Sequence, residues 1–147
     1  MSTGTGTLSP EAVREMFDRI SPVYDAMNRA LTAGLDGTWR RLTAEAVVKP
    51  GDRVLDACCG TGDLALASAR AGARVTGVDF SEAMLERARR KSNAIDWACA
   101  DVLSLPYEDA SFDAVTVGFG IRIVADLEAG LRELARVLRP GGRLGCL

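Results

Sequence analysis

The sequence predicts an α/β domain built on a doubly wound, mostly parallel sheet, with a helical segment placed before it. Three observations predict this. Short apolar runs (Arg53 to Ala57, Arg74 to Asp79, Asp96 to Ala100, Ser111 to Val117) alternate with stretches of helical periodicity. The first run enters a glycine turn, Gly60-Thr61-Gly62, that opens a helix near Asp63. Acids mark the far ends of the first three runs: Asp56, Asp79 and Asp101.

Met1 to Leu8 is rich in Gly, Thr and Ser, with no basic region or apolar run, and is expected to be a disordered tail rather than a signal peptide. Ser9-Pro10-Glu11 starts a helix, because serine caps, proline suits the first position and an acid complements the first turn. Val13, Met16, Phe17 and Ile20 follow on one face. Ser21-Pro22 interrupts, and a second helix carries Val23, Tyr24, Met27 and Leu31 before Gly34. A third is expected from about Thr38 to Val48, with Trp39, Leu42 and Ala46 on one side. Residues 9–49 are therefore read as a helical appendage to a core of residues 50–147, entered through Lys49-Pro50-Gly51-Asp52.

Past the glycine turn, Leu64 to Ala71 is an alanine-rich helix closed by Gly72. Ser81 caps a helix from Glu82 to Lys91, whose Arg87, Arg89, Arg90 and Lys91 read as a solvated basic face. A loop with Leu105-Pro106-Tyr107 separates the third and fourth strands. Gly118-Phe119-Gly120 leaves the end of the fourth strand open for a ligand. Asp126 to Leu138 is amphipathic, with Leu127, Leu131, Leu134 and Leu138 on one stripe. Pro140-Gly141-Gly142 stops it, and Arg143 to Leu147 begins a fifth strand.

Composition excludes several classes. Of 147 residues 48% are apolar, enough for one core, and 18 Lys plus Arg against 20 Asp plus Glu leave no broad basic face for nucleic acid. No apolar run could cross a membrane, so a cytoplasmic protein is expected. The four cysteines have no CxxC spacing; no metal site is expected and they read as buried apolar filler. With no histidine, any general base must be a carboxylate, Tyr, Cys, an Arg-oriented water or the substrate.

The charges around the turn choose among ligands. Gly60 and Gly62 permit backbone angles that other residues resist and let a ligand lie against the main chain. A dinucleotide would set its pyrophosphate on the helix N-terminus, where Asp56 and Asp63 would repel it. S-adenosylmethionine carries a sulfonium and an ammonium instead, and the same carboxylates attract it. Asp79, about 20 residues beyond the turn, suits the ribose hydroxyls of its adenosine. Asp101, on the same edge, suits the adenine amino group. Gly60-x-Gly62-x-x-Ala65 also passes as a relaxed dinucleotide fingerprint, which keeps a nicotinamide oxidoreductase as the weaker alternative.

These residues resemble a family. Leu55 to Asp63, the Asp79 strand end, Leu105-Pro106-Tyr107 with Ser111-Phe112-Asp113, and Arg136 to Gly142 look like a Rossmann-like S-adenosylmethionine-dependent methyltransferase. Tyr24-Asp25-Ala26-Met27-Asn28, Leu31 and Trp39, joined to Gly118-Phe119-Gly120-Ile121-Arg122, are similar to the ubiquinone/menaquinone biosynthesis C-methyltransferases; Cys58-Cys59 is similar to the demethylmenaquinone enzymes. The resemblance implies methyl transfer to a ring carbon of a prenylated quinol. It implies cofactor contacts at Thr61, Asp79, Asp101, Val102 and Gly118, and a helical lid containing Tyr24 and Asn28. Arg122 would help activate the quinol as the catalytic residue. Three positions depart from the family pattern: Ile123 replaces an asparagine, Asp36 a histidine, and Cys58 the first glycine of GxGxG. The class normally adds two more strands and a helix, so the sheet is expected to be truncated after the fifth strand. The exposed edge would suit homo-oligomer pairing, and a quinol substrate would suit peripheral membrane contact. A methyltransferase for another small molecule, or a non-catalytic cofactor-binding module, are the other readings.

Overall fold

The computed structural model describes residues 8–147; the expected tail falls, except for Leu8, outside the described residues. Three helices lead: α1 (Pro10–Ile20), α2 (Tyr24–Thr32) and α3 (Leu35–Val47), with a short 3-10 turn at Ser21–Val23. The core follows as β1 (Arg53–Ala57), α4 (Asp63–Arg70), β2 (Arg74–Asp79), α5 (Glu82–Lys91), β3 (Asp96–Cys99), β4 (Phe112–Val117), α6 (Leu127–Val137) and β5 (Leu138–Cys146). The five strands form one sheet in the order β3-β2-β1-β4-β5, and all four pairings are parallel. Strand order reverses between β1 and its neighbours, so the carboxyl end of β1 faces a crevice at a topological switch point.

Local chemistry explains the element ends. Ser9, Ser81 and Asp126 cap α1, α5 and α6 through side-chain oxygens that accept from Ala12, Met84 and Ala129 N–H groups. Gly72, at φ +96°, closes α4 where an L side chain would be strained. Beyond β4, Phe119–Ile123 winds a 3-10 turn. β5 starts directly at Leu138, with a register shift between Phe112 and Ala114 on β4 that absorbs the Pro140-Gly141-Gly142 segment.

The alternation of side chains across β1 divides the core in two. Leu55, Ala57, Val78, Val115 and Val117 pack with Leu134 and Val137 of α6 on one face. Val54, Val75 and Ala114 pack with Ala65 of α4 and Val48 on the other. Arg136 ties the expected loop to α6: its guanidinium donates to the Tyr107 carbonyl (2.7 Å) and the Leu105 carbonyl (3.1 Å) while pairing with Glu133 (2.7 Å). The Leu-Pro-Tyr and Arg-Val-Leu-Arg-Pro stretches are thus two halves of one structural clamp.

Three helix faces differ from the expected ones. In α6 the buried set is Gly130, Leu134 and Val137, and Leu127 and Leu131 are exposed; Gly130 faces Val124, Leu103 and Ile121, outside the strands. In α1, Met16 faces outward while Val13 is buried. In α3 the difference is larger: Trp39 and Leu42 are exposed, and the inward positions are Asp36, Arg40 and Ala44. α3 packs against α4, β4 and β5, close enough that a Cβ on Gly145 would lie 2.9 Å from Val47 and 3.2 Å from Thr43.

Candidate functional site

A cavity lies over the carboxyl ends of β1, β2 and β4, lined by the turn after each strand and by the N-terminal helices. From β1 and its turn come Asp56, Gly60 and Thr61; from β2, Asp79 and Phe80; from beyond β3, Asp101 and Val102; from beyond β4, Gly118. Phe17 and Tyr24 close one side, and Leu8 joins them. Eight of the residues singled out in the sequence therefore meet here: Tyr24, Asp56, Gly60, Thr61, Asp79, Asp101, Val102 and Gly118.

Gly62 and Arg122 are not among the lining residues. Gly62 is left-handed (φ +89°), but an added Cβ would stand 2.4 Å from the Trp97 ring and 3.2 Å from Ala88. Its freedom serves packing beneath the turn rather than close approach of a ligand. Arg122 is exposed, with its guanidinium 5.9 Å from the Phe119 ring centroid, while the neighbouring Ile123 lines the cavity.

Asp56 dominates the electrostatics. It is fully buried, and Thr116, its register partner on β4, donates to Oδ1 at 2.7 Å, but Oδ2 has no hydrogen-bond partner. Burial above all, with the Asp79 charge adding to it, pushes its carboxyl up to about 7. Asp79 is also buried, which raises it, while N–H groups of Ser81 (2.9 Å) and Gly60 (2.8 Å) draw it back part of the way. Those two donors fix the carboxylate plane at the turn and use one lone pair on each oxygen. Asp101 is exposed, with Oδ1 accepting from Leu103 N–H at 2.9 Å.

The N-terminal helices are tied to the turn by polar contacts. Thr61 Oγ1 donates to Asp25 Oδ1 at 2.5 Å, and Lys91 Nζ pairs with both Asp25 (2.6 Å) and Asp63 (2.8 Å). Burial would raise the Asp25 carboxyl, but Lys91 and Thr61 outweigh it and hold it below its usual range. Ser81 Oγ donates to Asp18 at 2.5 Å, and Phe17 meets Tyr24 and Phe80 edge-on. Lys91 is exposed, as read for the basic run, but it also reaches back from the last turn of α5 to pair with acids on α2 and α4. The repulsion assigned to Asp63 is offset by that cation, and Asp56 is the acid whose oxygen stands free.

Cys58 and Cys59 flank the same turn. Cys58 adopts φ +51°, the left-handed region that explains a glycine at this position in the common GxGxG pattern. Burial pushes its thiol up to about 12 and that of Cys59 well above its ordinary value, with Asp79 and Asp56 adding to both. Cys99 and Cys146, by contrast, are exposed at the ends of the two edge strands, so the reading of all four as buried filler is corrected for these two. In the native chain two thiols are expected to react quickly with Ellman's reagent at pH 8, and the other two only after denaturation; fast titration of four would place Cys58 and Cys59 outside the core.

The donor set suits a cationic, phosphate-free nucleoside: unpartnered Asp56 Oδ2, a fixed Asp79 carboxylate beside Gly60, and Asp101 on the next strand end. Residues 6–147 match the ubiE/COQ5 methyltransferase family. The chain belongs to that family. It is 46% identical over 150 residues to the 2-phytyl-1,4-naphtoquinone methyltransferase of Synechococcus elongatus, covering 95% of this chain and 64% of that protein. To the demethylmenaquinone methyltransferase of Clavibacter sepedonicus it is 46% identical, covering 92% and 57%. The chain thus spans about three fifths of the length of these relatives. Among solved structures, the [4+2]-cyclase SpnF superposes with a TM-score of 0.78 at 30% identity, covering 92% of this chain and 58% of that one. A protein from Methanococcus maripaludis superposes at 0.76 with 22% identity, covering 88% and 63%, and shows the shared fold. The family's fold is therefore this Rossmann-like sheet, and its reaction has to be argued from the site.

Proposed function

We propose that this chain binds S-adenosylmethionine and methylates a ring carbon of a prenylated quinol of the demethylmenaquinol type. The observation that carries the proposal is the meeting of Asp56, Gly60, Asp79 and Asp101 at adjacent strand ends in a family whose relatives are named as quinone methyltransferases. When bound, the cofactor supplies an electrophilic methyl group on a sulfonium. Asp79 would take the ribose hydroxyls with its remaining lone pairs, and Asp101 Oδ2 the adenine amino group. Val102 and Phe80 would enclose the base, and Gly118 leaves backbone exposed beside it: a Cβ there would touch only Leu64, at 4.0 Å. Asp56 would face the ammonium.

The N-terminal helices are proposed as the lid. Tyr24 and Phe17 shut out water from one side, and the Thr61–Asp25–Lys91 contacts hold them to the turn. Exclusion of water and alignment account for much of such a rate, because a quinol carbon becomes nucleophilic once a neighbouring hydroxyl loses its proton. Arg122 is proposed to stabilise that phenolate; it is exposed outside the cavity lining, next to Ile123, which does line it, so the role requires its side chain to swing toward the bound quinol. Peripheral contact with a lipid surface, a cytoplasmic location and pairing through a sheet edge belong to the same proposal. Among the described residues no helix is long and apolar enough to cross a membrane.

Incubation of the chain with labelled S-adenosylmethionine and a short-chain demethylmenaquinol tests the proposal. Methyl transfer is expected, with Arg122→Ala slowing it about 100-fold while leaving affinity for S-adenosylhomocysteine unchanged. Binding of the cofactor without transfer to the quinol would favour a non-catalytic module or another small-molecule acceptor.

A further inference from the structure

The turn beyond β4 forms one wall of the cavity, and packing holds it more firmly than its terminal hydrogen bonds do. Ile121 N–H to the Gly118 carbonyl and Val124 N–H to the Ile121 carbonyl are both long, at 3.5 and 3.4 Å. On one side Ile121 is buried in the core and, with Val124, lies against Gly130 of α6. On the other side the turn rests on Cys58, and there the fit is close. A Cβ built on Gly120 would stand 2.8 Å from Cys58 Cβ and 3.7 Å from its Sγ. Both residues line the cavity, as do Phe119 and Ile123 from the same turn.

The backbone carries the side chain at the less favourable of these two positions. Cys58 is left-handed (φ +51°), where an L side chain is strained, whereas Gly120 is not among the glycines with positive φ. Conformation alone would place glycine at 58 and a side chain at 120; the chain has the reverse. Strain of this kind persists where the surroundings over-determine it. Cys58 stands on a fixed base, since Ala57 ends β1 and Cys59 N–H donates to the Val78 carbonyl at 2.9 Å. Burial keeps its thiol protonated, so what it offers the turn is bulk. Bulk carried by the strand end sets the height of the turn, whereas the same bulk on residue 120 would ride on the segment it has to hold.

Resting on the acceptor reading above, we infer that Cys58 is a positioning residue: its Cβ braces Gly120 and fixes the wall of Phe119 and Ile123 against which the quinol ring is held. Its part in the reaction is steric, with no covalent or acid–base step.

Variants at both residues test this. Three readouts are followed: trypsin cleavage after the exposed Arg122, KM for a short-chain demethylmenaquinol, and affinity for S-adenosylhomocysteine. Cys58→Gly removes the brace, so cleavage after Arg122 is expected to quicken about 10-fold and KM to rise about 10-fold, while kcat and S-adenosylhomocysteine affinity change less than about 3-fold. Cleavage after Arg90, likewise exposed and near the end of α5, should keep the parent's pace, which separates a freed turn from a loosened fold. Cys58→Ala keeps the Cβ and should stay within about 3-fold of the parent in every readout. Gly120→Ala drives the turn off Cys58 and should reproduce the losses of Cys58→Gly. Combining Gly120→Ala with Cys58→Gly should recover to within about 3-fold of the parent, because a single Cβ again fills the gap. Circular dichroism establishes that each variant is folded. Parent-like cleavage and KM in folded Cys58→Gly, or a Gly120→Ala loss that the second substitution does not relieve, would overturn the brace. If the parent transfers no methyl group to the quinol, the acceptor reading falls, and cleavage after Arg122 across these variants still decides whether Cys58 holds the turn.

Discussion

Asp56→Asn is expected to make the free chain more stable at pH 8 and a poorer binder of S-adenosylhomocysteine. The carboxyl titrates at about 7 in the folded chain against 3.8 in an ordinary one, so the folded state holds its proton more tightly than the unfolded state. Asp56 therefore costs nothing below pH 3.8, and the cost develops as pH rises toward 7, reaching about 4 kcal/mol when the buried group is fully ionised. Asparagine keeps an acceptor for the Thr116 hydroxyl without the buried charge. Denaturant unfolding at pH 5 and pH 8 should show the variant's advantage growing with pH, by about 2–4 kcal/mol at pH 8 once the unpaired amide is allowed for. An ammonium ligand prefers the ionised carboxylate, so affinity of the parent should climb as pH rises through 7, and the variant should lose that climb. A variant less stable than the parent at pH 8 would mean that Asp56 is solvated or paired in a way its orphaned Oδ2 does not show.

Gly62→Ala is expected to destabilise the fold heavily, and Gly60→Ala only moderately, though the two glycines look alike in the turn. Both have positive φ, +89° and +54°, which an alanine adopts at a cost of about 1–2 kcal/mol. At Gly62 the new Cβ also meets the Trp97 ring at 2.4 Å, and the indole is held in place by donating to the Ser92 carbonyl at 3.0 Å. Displacing the ring adds about 1–3 kcal/mol of overpacking, for a total of about 2–5 kcal/mol. At Gly60 nothing lies within 4 Å of the Cβ position, which opens on the cavity. Thermal unfolding with S-adenosylhomocysteine titration separates the two: Gly60→Ala should fold and bind poorly, and Gly62→Ala should lose stability first. Equal losses at the two positions would deny Gly62 its packing role.

The sheet and its acidic strand ends were legible because they rest on local signals. Apolar runs of strand length, a glycine turn before a helix and a capping serine each act within a few residues; β1, β2 and α5 occupy the residues read for them. The partners of those elements were less legible. In α3 the apolar residues Trp39 and Leu42 point outward, so periodicity selected the wrong face and Arg40 passed unnoticed. The one signal available was Asp36 and Arg40 at helical i, i+4 spacing, a pattern that usually marks a solvated face. The partners of Lys91 were hidden for a similar reason: its acids lie on α2 and at the start of α4, far away in sequence. Gly62 was assigned to the ligand because the sequence does not tell which side of a turn a tryptophan on β3 will fill.

The most direct measurement is calorimetric titration of the purified chain with S-adenosylhomocysteine, with NADH titrated in parallel. Saturable heat with S-adenosylhomocysteine alone is expected, since Asp56, Asp79 and Asp101 offer carboxylates where a pyrophosphate would need donors. Heat with NADH, or silence with both ligands from a folded chain, would contradict the assignment of this cavity to a sulfonium nucleoside.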